Sequence, residues 1–137
     1  MKNYWIAAFL TLAPLLSKAE IVIVSSTAST LTSATKEDLE RLYLGKSKSL
    51  AGTSVNPINQ TGDTDASSEF NKLLLNRSSS QVKAYWSKLV FTGKGMAPKE
   101  VNSNQQMIEA LKADPEAVGY IDASAATGDV KVLLKLE

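Results

Sequence analysis

The chain has 137 residues, with 15 basic and 14 acidic side chains and a formal net charge of +1. Such a length favours one domain, and the near-neutral balance leaves nucleic acid and anionic membrane surfaces without an electrostatic motive. There is no histidine and no cysteine. That excludes histidine-based triads, most zinc sites, disulfide staples and lipid attachment at a cysteine.

Residues 1–19 read as an export signal. Lys2 supplies the positive start, Tyr4 to Leu16 is an apolar run, and Ser17-Lys18-Ala19 ends on a small residue suited to cleavage. The alternative is an uncleaved anchor, but the run is short for a span of roughly 20 residues. Cleavage near Ala19 leaves residues 20–137 as a single domain with no membrane span. Its 13 basic and 14 acidic side chains give a net charge of −1 once Lys2 and Lys18 are removed. The expected location is the periplasm.

Glu20 to Val24 is β-branched and apolar on both faces, the pattern of a strand covered on two sides. Ser25 to Ser33 is a hydroxyl-rich connector. Thr35 stands at an N-cap position, and Leu39, Leu42 and Tyr43 follow with helical spacing, so Lys36 to Leu44 is predicted as a helix closed by Gly45. Lys46 to Gly52 reads as a solvated turn. Thr53 to Ile58 is predicted as a second strand, with Pro57 suiting its start or an edge.

The polar stretch from Asn59 to Ser68 comes next, and Ala66, Phe70, Leu73 and Leu74 mark the inner face of a helix ending near Asn76. A strand, a polar loop and a helix start in succession aim N–H groups and hydroxyls at one point. Thr61, Gly62, Thr64, Asp65, Ser67 and Ser68 are therefore the candidate ligand-binding residues.

Ser78 and Gln81 form a capping box. After them Val82, Tyr85, Trp86, Leu89 and Val90 make the strongest helical stripe, read as core rather than as a ligand platform. Phe91 to Pro98 is predicted as a loop whose Gly93-Lys94-Gly95 lacks the spacing of a phosphate loop. Ser103 and Gln106 cap a further helix with Met107, Ala110 and Leu111 inward, stopped at Asp114-Pro115. Ala117 to Ile121 is a buried strand in which Gly119 signals close approach, and Val130 to Leu136 is the last strand. The expected class is α/β, a small sheet with helices on both faces.

Three segments together resemble the periplasmic phosphate-binding proteins of ABC transporters. Leu39-Glu40-Arg41-Leu42-Tyr43-Leu44-Gly45-Lys46 looks like their helix ending in Gly-Lys, and Asn59 to Phe70 falls where they carry an Arg-Ser-Asp-x-Ser-Gly-Thr loop. Asp114-Pro115-Glu116-Ala117-Val118-Gly119-Tyr120-Ile121 looks like their Thr-Pro-Gly-Ala-Ile-Gly-Tyr-Val segment. The resemblance covers about Leu31 to Ala126. It implies one lobe of a type II periplasmic binding protein, since full-length members close two lobes on phosphate.

Aligning Phe70 with the family's helix phenylalanine puts Gln60 at the arginine and Thr64-Asp65-Ala66 at Ser-Gly-Thr. The bidentate arginine is replaced, and Asp65 brings a carboxylate to a helix start that it can cap. Phosphate binding is thereby weakened, and Gln60→Arg with Asp65→Gly is expected to strengthen it.

These residues suit a periplasmic solute-binding-like protein of the phosphate ABC transporter substrate-binding type, holding a small anion or serving transport as an accessory. The alternative is an interaction module that kept the lobe and lost the ligand, binding an envelope protein or a second copy of itself. Catalysis has little support. Asp63 and Asp65 suit turns and caps, and Ser67 has no histidine to activate it. No cofactor or metal is implied.

Overall fold

A computed structural model describes residues 20–137; the expected export signal over residues 1–19 lies outside them. All six residues of β1, Ile21–Ser26, are buried. Side chains alternate along a strand. Ile21 and Ile23 therefore join the core on one face, while Val22 and Val24 join a second core on the other.

Helix α1, Lys36–Tyr43, lies on the first face with α2, Asp65–Phe70, and α3, Ser79–Phe91. Helix α4, Asn104–Ala113, covers the second. This is the expected α/β arrangement, a small sheet with helices on both faces.

The five-stranded sheet has the order β5 (Lys99–Val101), β4 (Asn56–Gln60), β6 (Ala117–Asp122), β1 and β7 (Val130–Leu136). Its central strand β6 runs antiparallel to β1 and parallel to β4. Strand β7 is antiparallel to β1 at one edge. Gly119 is the close approach its sequence context predicts, since a Cβ there would lie 2.3 Å from Met107 Sδ.

The capping residues act as expected. The hydroxyls of Thr35, Ser78 and Ser103 accept from the N–H groups of Asp38, Gln81 and Gln106. Gly45 follows α1 at φ +75°, where its missing Cβ also makes room for Trp86.

Four expectations need correction. The segment Thr53 to Ile58 is two elements. Thr53–Ser54 forms β3 of a small hairpin with β2, Ser49–Leu50, and the sheet strand β4 begins afresh at Asn56. Pro57 is tolerated near that start because only β6 pairs with it, and β5 joins β4 from Ile58 onward.

Strand β5, Lys99–Val101, had no counterpart in the sequence reading. Helix α3 runs through Phe91, and Val90 on its expected inner stripe is 52% exposed. On α4, Ile108 is buried beside Met107 and Leu111, while Ala110 is only partly covered. No helix among the described residues is long and apolar enough to cross a membrane.

Candidate functional site

The loop between β4 and α2 is a tight turn. Thr64 donates its N–H (3.0 Å) and its hydroxyl (3.1 Å) to the carbonyl of Thr61, whose own N–H is tied to Val101 of β5 at 2.9 Å. The Thr64 hydroxyl also accepts from the Ser67 N–H at 3.1 Å, so Thr64 is the N-cap of α2. The sequence had suggested Asp65 as a cap. Its carboxylate stands exposed in the first turn, where it complements the helix dipole.

Beyond α2 the backbone widens into a π-helical turn, Asn71–Leu75, closed by Asn76 at φ +53°. The widened turn sets Asn71 inward together with Leu74 and Leu75. Such turns inside helices are frequent at functional sites.

Together these elements wall a cleft of about 670 Å³. One side is the loop, with Thr61, Gly62 and Asp63. The floor holds Ser67 and Asn71, and α3 contributes Ser79, Ser80, Lys83, Trp86 and Ser87. Ala97, Pro98 and Glu100 close the far side.

Of the six residues singled out from sequence, Thr61, Gly62 and Ser67 line this space. Thr64, Asp65 and Ser68 stand outside its lining. The hydroxyls and the lysine of α3 were missed. They lie on what reads as an ordinary solvated face, and only the fold brings that face against the loop.

Beneath the cleft is a buried polar cluster with its bonds made. The Gln60 amide donates to Asn104 Oδ1 at 2.9 Å and to the Tyr120 carbonyl at 3.1 Å. The Tyr120 hydroxyl donates to Asn59 Oδ1 and accepts from the Gln60 N–H at 3.0 Å. Burial pushes the Tyr120 phenol up to about 12, against smaller opposing effects of the Ser67 hydroxyl and the Gln60 N–H.

Gln60 stands at the family's arginine position but is 2% exposed, with its amide turned into the protein. An arginine there must leave this network and extend into the cleft before it can meet an anion.

Two other buried groups at the cleft have no partner among the described residues, Asn71 Oδ1 and Trp86 Nε1. Asn71 makes one long bond, from Nδ2 to Ser79 Oγ at 3.4 Å. An unpartnered buried acceptor or donor costs about 1–3 kcal/mol. The lining thus holds one cation, Lys83, against two carboxylates, Asp63 and Glu100. It offers several hydroxyls and three amides, of which Asn59 and Gln60 are bonded within the cluster beneath. It suits recognition by hydrogen bonds more than by charge.

No protein-family model and no curated protein sequence matches this chain significantly. Solved structures do. The chain is similar to an ABC-type phosphate transport receptor from Vibrio cholerae, at 21% identity and a TM-score of 0.65, over 84% of this chain and 46% of the receptor. It is likewise similar to PstS from Borrelia burgdorferi, at 20% identity and a TM-score of 0.61, over 84% of this chain and 47% of the other. The chain therefore spans about half the length of these receptors, and its fold is that of one lobe of a phosphate-binding protein.

Proposed function

We propose that this chain is an exported, non-enzymatic protein of the solute-binding type, resident in the periplasm. Its cleft holds a small polar solute carrying at most one negative charge. The reading is carried by one observation. On the fold of a phosphate receptor lobe, the loop before α2 and the polar face of α3 meet in a hydroxyl-lined cleft.

The solved structure from Vibrio cholerae is named as an ABC-type phosphate transport receptor, which supports comparison with the phosphate ABC transporter substrate-binding type. Inorganic phosphate itself fits this lining poorly. Two like unit charges at 4 Å repel by about 4 kcal/mol near a protein surface. A multiply charged anion meets Asp63 and Glu100 with only Lys83 to offset them.

Thr61, Ser79, Ser80 and Lys83 are the groups a solute would meet first. Ser67, Asn71 and Trp86 would hold its inner end. The second reading, an interaction module on a lobe that has lost its ligand, is favoured by the exposure of Phe91 and Met96 (92% and 90%).

A thermal-shift screen with polyols, monocarboxylates, zwitterionic amino acids, sulfate and phosphate tests the proposal. A ligand at 100 times Kd adds about 2.7 kcal/mol of stability. Stabilisation by an uncharged or singly charged solute is expected. Silence across the panel at millimolar ligand refutes the solute-binding reading.

A further inference from the structure

A second concavity adjoins the solute cleft, sharing Trp86, Val90, Ala97 and Pro98 with it, and has a volume of about 1310 Å³. That exceeds the roughly 300–1,000 Å³ of a usual small-molecule site. Leu42, Leu44 and Ile58 lie deep in it, each under 5% exposed. Leu89, Val90 and Met96 form an apolar wall. Four large apolar side chains among the described residues are markedly exposed, and two of them, Val90 and Met96, line this groove. Such clustering on a surface marks an interaction site.

The charge around this groove is one-sided, although the chain as a whole is nearly neutral. Lys46, Lys48, Lys94 and Lys99 line it, all exposed, and none makes an ion pair among the described residues. Asp114 is the sole carboxylate in the lining, and it is engaged. Its oxygens accept from Asn56 Nδ2 at 3.1 Å and from the Glu116 N–H at 3.0 Å.

We infer that this groove docks a segment of a partner protein in which carboxylates flank apolar side chains. The apolar floor would take the segment's hydrophobic residues, and the four lysines would pair with its acids. An anionic bilayer would also answer to lysines beside Val90 and Met96. A bilayer, however, meets protruding groups only, and here the apolar surface recedes to Leu42 and Ile58 at the bottom of a furrow. The inference rests on the interaction-module reading and gives it a partner chemistry; it does not depend on a solute in the adjoining cleft.

The test uses the full chain and three fluorescein-labelled dodecapeptides. The first places glutamates beside leucine and phenylalanine, the second replaces its glutamates by lysine, and the third replaces its apolar residues by serine. Anisotropy should show saturable binding of the first peptide alone, weakening as salt rises. Lys46→Glu with Lys94→Glu should weaken it by at least about tenfold. Met96→Asp should do the same, at a side chain too exposed to matter for folding.

Ser80→Ala, on the solute cleft, should leave peptide affinity unchanged. Equal binding of all three peptides, or none, overturns the inference. So does binding to phosphatidylglycerol vesicles without binding to the first peptide, or self-association in sedimentation that Met96→Asp abolishes while no peptide binds.

Discussion

Two sets of buried polar groups lie at or beneath the cleft of this fold, and they are built differently. In the first, Asn59, Gln60, Asn104 and Tyr120 bond one another beneath the sheet end. In the second, Asn71 Oδ1 and Trp86 Nε1 are buried at the cleft without partners. A saturated cluster rigidifies a core. An unsaturated one holds free energy that an entering hydrogen-bonding group can release. The first set positions the loop, and the second leaves two groups that the proposed solute would pair.

The difference can be broken from below. Phe70 ends α2 beneath both clusters, stacked on Tyr120 with ring centroids 3.7 Å apart and edge-on to Tyr43 at 4.7 Å. Phe70→Ala should cost about 3–5 kcal/mol in denaturant unfolding, the largest loss expected here.

Tyr120→Phe strikes the saturated cluster alone. It removes one of the two donors to Asn59 Oδ1, which keeps the Gln60 N–H at 2.9 Å, for a loss of about 1 kcal/mol. The same residue shapes the alkaline limit. Tyr120 is pushed up to about 12, chiefly by burial, and burial raises Tyr43 well above 10.0 as well. The folded state keeps phenols neutral that the unfolded chain ionises near pH 10. Stability is therefore full below about pH 10 and falls as pH rises from there through about 12. Unfolding free energy measured across this window should fall less steeply in Tyr120→Phe than in the parent.

Thr64→Ala removes the cap of α2 and should cost about 1 kcal/mol. Any further change in solute affinity would report that the loop had lost its shape, since Thr64 stands outside the cleft lining. The smallest effect on stability belongs to the unsaturated cluster. Asn71→Leu removes an unpartnered acceptor from a nearly fully buried site, so thermal unfolding should move little or upward while solute binding is lost.

Much of the framework was legible because its signals are local. The N-caps Thr35, Ser78 and Ser103, the stop at Gly45 and the apolar run of β1 each act within a few residues of themselves. Strand β5 was not legible. Lys99-Glu100-Val101 has two charges in three residues and becomes a strand only by pairing with β4, far away in sequence.

The candidate site was half legible for the same reason. The loop before α2 announces itself through Thr61, Gly62 and Ser67. Ser79, Lys83 and Ser87 of α3 face the cleft only after the π-helical turn has brought that helix back across the loop. Val90 shows the converse, a periodic apolar residue left exposed because the stripe outruns the core it covers.

Isothermal titration of the parent and of Asn71→Leu, with the same neutral, singly charged and multiply charged solutes, tests the central claim most directly. Saturable heat is expected with an uncharged or singly charged solute, with a weaker response to phosphate and loss of binding in Asn71→Leu at undiminished stability. Tightest binding of phosphate, or unchanged affinity in Asn71→Leu, would contradict it.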